Sequence, residues 1–146
     1  MDKYEQQQTL YKRLGGYDAI AAIIADLFQL LKEDERFRRF GLGRSLDSKA
    51  RVQQLTVEQV CSLAGGPCIY LGRDMKTSHH GLGITEEEWK VNLELTAKVL
   101  ERYGVGKQEQ GEFLELFERH RGEIVEAAAK PGPAGGAAQG ESAIVI

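Results

Sequence analysis

Met75-Lys76-Thr77-Ser78-His79-His80-Gly81-Leu82-Gly83-Ile84-Thr85 is the stretch on which the reading of this chain turns. It holds two of the three histidines, at the end of a short segment and just before a glycine break. Thr85 then opens a long amphipathic segment. A histidine pinned at a helix end, with long apolar helices on either side, is what a haem iron requires from one face. Two solvated histidines in a loop would leave the same letters, and the stretch by itself does not separate the two.

Downstream, Thr85-Glu86-Glu87-Glu88 reads as a capping box whose acids suit the start of a helix dipole. The helix it opens carries Trp89, Asn92, Leu93, Leu95, Val99 and Leu100 and stops at Gly104. A further helix is expected from about Lys107 to Ala128, with Phe113, Leu114, Phe117, His120, Ile124 and Val125 inward. Upstream, residues 67–74 read as a loop, preceded by Gly65-Gly66-Pro67, which ends a helix begun near Asp47. That helix turns Val52, Leu55, Thr56, Gln59, Val60 and Leu63 to one side. Before it, Lys32 to Arg39 is charged, with Phe37 and Phe40 as its large apolar anchors, and reads as a short irregular helix. From Asp18 a strong helix presents Ile20, Ile23, Ile24, Leu27, Phe28, Leu30 and Leu31. Leu10, Tyr11 and Leu14 form a first turn that Gly15-Gly16 stops. No segment shows period-two alternation, so the expected class is all-α.

A chain of 146 residues, 42% hydrophobic and 28% charged, suits one globular domain with a real core. Its formal charge of −3 argues against nucleic acid as the main partner. No apolar run approaches the ~20 residues of a membrane helix, and Met1-Asp2-Lys3-Tyr4 does not begin a signal peptide, so no membrane partner is expected and the default compartment is cytoplasmic. Cys61 and Cys68 fit no Cys-x-x-Cys metal spacing and are expected to remain thiols in a reducing cytosol. Residues 1–8 read as a flexible N-terminus, 9–129 as the domain, and 130–146, rich in Gly, Ala and Pro, as a disordered low-complexity tail. Glu86, Glu87 and Glu88 form a capping face rather than a paired-carboxylate site. No Ser/His/Asp arrangement or phosphate-cradling loop is evident.

Taken in order, Thr9-Leu10-Tyr11-Lys12-Arg13-Leu14-Gly15-Gly16, Gly65-Gly66-Pro67, Tyr70-Leu71-Gly72-Arg73-Asp74-Met75-Lys76-Thr77-Ser78-His79 and Gly81-Leu82-Gly83-Ile84-Thr85 resemble the group I truncated haemoglobins, over about residues 9–126. The resemblance implies a two-over-two helical sandwich around haem b. It implies that His79 is the proximal iron ligand, its other ring nitrogen donating to a backbone carbonyl. His80 would then point about 100° away around the helix and stay near the surface. Met75, four residues before His79, would pack under the ring as core filler. Arg73 and Lys76 become candidate propionate partners, with solvated cations as the alternative. Tyr70 would close the haem edge, and Phe40 and Trp89 join the haem-lining set.

On the distal side this chain departs from the family pattern. Many members place a tyrosine at the position of Phe28, which has no hydroxyl to donate. The positions that commonly offer glutamine or histidine correspond to Val52, Leu55 and Thr56, and a one-residue slip would bring in Gln53 or Gln54. Asn92 stands where an apolar residue is usual. Ligand stabilisation is therefore expected from Thr56 and Asn92, or from a glutamine, and the ferrous iron is expected to be five-coordinate without added ligand. His120 is read as a rim histidine; in a cyanobacterial subset of the family, a histidine on this helix bonds covalently to a haem vinyl. The functions implied are reversible binding of O2, CO or NO, as in oxygen transport, or NO dioxygenation or peroxidase chemistry with a partner reductase. A helical interaction module without cofactor is the remaining reading.

Overall fold

The structure is a computed structural model that describes residues 8–42 and 45–126. The expectations for the first seven residues and for the tail from 130 lie outside them. Seven α-helices follow one another among these residues: α1 (Leu10–Leu14), α2 (Tyr17–Glu33), α3 (Leu46–Leu63), α4 (Met75–His79), α5 (Glu86–Arg102), α6 (Lys107–Glu118) and α7 (Arg121–Ile124). A 3-10 helix, Glu35–Phe40, links α2 to α3. Among the described residues there is no strand, and no helix is long and apolar enough to cross a membrane.

Each long helix forms where the apolar spacing predicts. Ile20, Ile23, Ile24 and Leu27 bury one stripe of α2, at i, i+3, i+4 and i+7. That stripe packs against both α3 and α5, and α5 packs in turn on α6, so α2/α3 lies over α5/α6. The result is the two-over-two sandwich. Between α1 and α2 the chain reverses at Gly15 (φ 109°) and Gly16 (φ 88°), a left-handed pair that a β-carbon would strain. The Tyr11 N–H donates to the Ala64 carbonyl at 2.9 Å, tying α1 to the end of α3. Gly66 allows that approach: a Cβ there would lie 2.4 Å from the Tyr11 ring.

Three expectations are corrected. The segment after Lys107 is not one helix; it breaks at Arg119-His120 into α6 and α7. Its letters are helical throughout, but the break lets α7 pack on α4 and lets the Glu126 N–H reach the Ile84 carbonyl at 2.9 Å. Tertiary contact here outweighs local propensity. The inward residue on α6 is Leu116, fully packed, while Leu114 is only half-buried. Cys61 and Cys68 are not thiols but are joined by a disulfide, with Cα atoms 5.8 Å apart. The diglycine turn carries the chain back past the last turn of α3, which brings the two residues within bonding reach.

Candidate haem pocket

His79 is the last residue of α4 and has no exposed surface. Its Nδ1 lies 2.9 Å from the Met75 carbonyl oxygen and 2.8 Å from Ser78 Oγ. A carbonyl only accepts, so the neutral ring carries its proton on Nδ1 and Nε2 keeps its lone pair. Met75 is buried one turn below, and His80 is exposed. Among the described residues no group of three or more His, Cys, Asp or Glu side chains could hold a bare metal ion. A single buried imidazole with a fixed tautomer suits a metal whose other ligands come from a macrocycle.

The corner that follows His79 is cross-braced. Glu88 closes the capping box with Thr85, accepting from the Thr85 N–H at 3.0 Å, and also takes both terminal nitrogens of Arg39 from the 3-10 helix. Burial alone would raise the Glu88 pKa, but the Arg39 and Thr85 bonds outweigh it and hold the carboxyl below its ordinary value. The Gly83 N–H donates to Glu126 Oε1 at 2.9 Å, and the Trp89 indole N–H donates to Glu118 Oε1 at 2.7 Å. The partnership of Arg39 with Glu88 spans 49 positions and carries no local signature.

Val52, Leu55 and Thr56, the expected distal residues, are buried along α3. Of the two glutamines of the alternative register, Gln54 is exposed, donating to the Tyr17 hydroxyl at 2.7 Å, and Gln53 is half-buried and lines the same cleft as Phe28 and Val52. Thr56 donates its hydroxyl proton to the Val52 carbonyl at 2.9 Å, which leaves its oxygen as an acceptor. Phe28, Phe40 and Val52 share the wall of one cleft between α2, the 3-10 helix and α3. Asn92, on α5, has no exposed surface, and neither Nδ2 nor Oδ1 has a hydrogen-bond partner among the described residues. Gln59, buried on α3, leaves Oε1 without a partner, a feature the sequence showed only as a polar letter on an apolar face. A buried amide with both atoms unsatisfied fits a protein built around a group that completes it.

The remaining candidates lie nearer solvent. The Tyr70 hydroxyl donates to the Arg73 carbonyl at 2.5 Å, closing the loop ahead of α4, and Arg73 and Lys76 are exposed. His120 sits at the α6/α7 break, half-buried, with Nδ1 3.2 Å from Glu123 Oε1 and Nε2 buried without a partner among the described residues. It is thus a rim residue at a bend rather than one on the inner face of a continuous helix.

A two-over-two all-α sandwich with one buried histidine ending the short α4 defines the compact haem-globin class. The bacterial-like globin family matches residues 9–126. A group 1 truncated haemoglobin from Tetrahymena thermophila is 26% identical over 116 residues, covering 80% of this chain and 93% of that protein. The crystal structure of the ferric truncated haemoglobin from Tetrahymena pyriformis superposes with a TM-score of 0.73 at 25% identity, covering 84% of this chain and all of that one (100%). The 2/2 haemoglobin of Synechococcus sp. PCC 7002, solved with covalently attached haem, shares the fold at 22% identity, with a TM-score of 0.73 and coverage of 81% and 98%. The chain belongs to the bacterial-like globin family and, within it, is a group I truncated haemoglobin. Haem binding and the binding of diatomic gases follow from that membership.

Proposed function

We propose that this protein binds O2, CO or NO reversibly at a haem b iron held by His79. The observation that carries this is the fully buried His79 ring, whose Nδ1 faces the Met75 carbonyl at 2.9 Å, a contact that fixes the tautomer with the proton on Nδ1 and the metal-binding lone pair on Nε2. The haem, when bound, supplies the iron at which the gas is held. Met75 would pack against the haem on the side of His79, Phe28, Phe40, Val52, Leu55 and Trp89 would exclude water, and Arg73, Lys76 and Tyr70 would meet its propionates. Asn92 Nδ2, which has no partner among the described residues, would donate to the bound ligand, since Thr56 gives its own proton to the helix. No histidine or lysine is among these distal residues, so the ferrous iron is five-coordinate before gas binds.

Absorption spectra in the ferric, ferrous and CO forms test this. A Soret band that His79→Ala weakens or shifts, with partial recovery on added imidazole, is expected. A six-coordinate low-spin ferrous spectrum in the unmodified protein would overturn the coordination, and a Soret band untouched by His79→Ala would overturn the ligand assignment. NO dioxygenation extends the same site if a partner reductase restores ferrous iron; sustained nitrate formation from NO only when a reductase is supplied would support it.

Covalent retention of the haem by His120 is a second reading, favoured by the buried, unpartnered Nε2. Haem that resists acid-acetone extraction, and is released in His120→Ala, is the expected sign. Complete extraction from reduced and reoxidised protein would end it.

A further inference from the structure

The cleft between the C-terminal half of α2, the 3-10 helix and the first turns of α3 has a volume of about 540 Å³, within the usual range for a small-molecule site. Its apolar wall includes Phe28, Leu31, Phe40, Leu42 and Leu46. Leu42 and Leu46 leave 55% and 82% of their surface exposed, forming a lip that no described residue covers. Three cations also line it, one from each element: Lys32 from α2, Arg38 from the 3-10 helix and Lys49 from α3. No aspartate or glutamate does so among the described residues.

These cations differ from their neighbours. Arg36 is paired with Asp34 and Arg39 with Glu88, whereas Lys32, Arg38 and Lys49 have no carboxylate within ion-pair distance among the described residues. In a chain with 22 acidic and 19 basic residues, three unpaired cations around one apolar cleft are a local reversal of charge.

Most of the α3 residues that line the cleft lie off the haem-facing side of that helix, and Val52 belongs to both. Leu46, Lys49, Ala50 and Gln53 form one stripe, at i, i+3, i+4 and i+7. Val52, Leu55, Thr56 and Gln59 lie roughly 120° around the same helix, at about 100° per residue. Phe28, Phe40 and Val52 line the cleft and are also assigned to the gas pocket, so the cleft adjoins that pocket along these three side chains.

We propose that this cleft binds a long-chain carboxylate, of the free fatty-acid class, with its apolar tail against Phe28, Leu31 and Leu46 and its carboxylate among Lys32, Arg38 and Lys49. An apolar wall rewards the chain, and a cationic rim without competing acids rewards a single negative head. Neutral chains lack the second contribution, and short carboxylates lack the first. Charge complementarity selects this occupant over an uncharged apolar partner.

The test uses the full-length haem-loaded protein, with laurate as the probe below its micelle concentration, measured by calorimetry or equilibrium dialysis. One site per chain is expected, weakened as salt rises. Methyl laurate, with the same chain and no charge, should bind at least about tenfold more weakly, as should laurate to the double variant Lys32→Gln/Lys49→Gln. Leu42→Ser/Leu46→Ser changes only exposed side chains and should also weaken laurate; an unaltered Soret band in each variant verifies the fold. Equal affinity for laurate and its methyl ester would overturn the proposal, as would full affinity in the lysine variant. Binding to phosphatidylglycerol vesicles without binding to free laurate would assign the face to a membrane surface and also overturn it. The binding measurement does not depend on which residue holds the iron.

Discussion

Replacing Asn92 with leucine should make the haem-free protein harder to unfold and the haem-loaded protein worse at holding oxygen, and both effects can be sized. Asn92 has no exposed surface and two polar atoms without partners. An unsatisfied buried polar group costs about 1–3 kcal/mol, so an apolar side chain of similar shape should recover about 1 kcal/mol in the absence of haem, even after some overpacking. With ligand bound, the same substitution removes a neutral hydrogen bond that contributes about 0.5–1.5 kcal/mol, which corresponds to an oxygen off-rate about two- to twelvefold faster. Thr56→Val is the matched control. Its hydroxyl already donates to the Val52 carbonyl, so the off-rate should change by less than about twofold. Urea unfolding of the haem-free protein gives the first quantity, and oxygen displacement by CO in a stopped-flow instrument gives the second. An unchanged off-rate together with a destabilised haem-free protein would show that the amide already has a partner, and would refute the reasoning. An off-rate that rises in Thr56→Val and not in Asn92→Leu would move the donor to α3.

The remaining expectations concern the braces around the site. The Cys61–Cys68 disulfide closes a short loop, seven residues apart in sequence, and a loop of that size stabilises by about 2–3 kcal/mol. A dithiol reductant should therefore lower the urea midpoint of the natural protein and leave Cys68→Ser unchanged; equal sensitivity in both would remove the disulfide from the account. Glu88 is held below its ordinary value of 4.5, so its contribution to stability is complete above that value and is lost as pH falls through the lowered one. The stability gap between the natural protein and Glu88→Gln should be flat near neutrality and close in acid, and a gap that widens in acid would contradict the sign. Arg13 bridges α1 to Glu109 and Glu112 of α6, with nitrogen–oxygen distances of 2.7 and 2.6 Å. Being partly exposed, that cluster should be worth no more than about 1 kcal/mol, measured as the coupling energy in an Arg13→Met/Glu112→Gln double-mutant cycle.

The parts of the fold legible in the letters were those with local period. Ile20, Ile23, Ile24 and Leu27 announce α2, and Thr85 with Glu88 announces the start of α5, because each signal spans at most two turns. The long-range closures left no such trace. Arg39 and Glu88 read separately as a charged run and a capping acid, and only the folded chain brings them together. The disulfide has no local signature either: Cys61 and Cys68 fit no metal spacing, and only the diglycine turn between them brings the two together. The break at His120 is hidden in the letters, because Phe113, Phe117, His120 and Ile124 keep a helical period across it, while the Glu126 N–H bonds the distant Ile84 carbonyl.

These closures are unevenly distributed. The segment after His79 is held by Arg39 through Glu88, by Glu126 through Gly83 and Ile84, and by Arg121 through Glu86. Each joins elements distant in sequence, and most engage backbone groups or carboxylates whose geometry tolerates little displacement. Between α2 and α3 there are apolar contacts, one exposed cross-helix bond from Gln54 to the Tyr17 hydroxyl and the intrahelical Thr56 hydroxyl bond, and the unsatisfied Asn92 amide lies on α5. A histidine ligand gains from a rigid mounting, because its tautomer and direction set the strength of the iron bond. A gas pocket gains from walls that repack, since the polarity and bulk of Phe28, Val52, Thr56 and Asn92 can change without disturbing that mounting. Substitutions on α3 and α5 should thus alter ligand kinetics with little effect on haem retention, whereas disruption of the Glu88 or Glu126 braces should loosen haem before it alters the intrinsic gas off-rate. Haem transfer to an excess of apomyoglobin, followed at the Soret band for Glu126→Gln and Asn92→Leu, separates the two: faster loss in Asn92→Leu than in Glu126→Gln would reverse the assignment of rigid and adaptable sides.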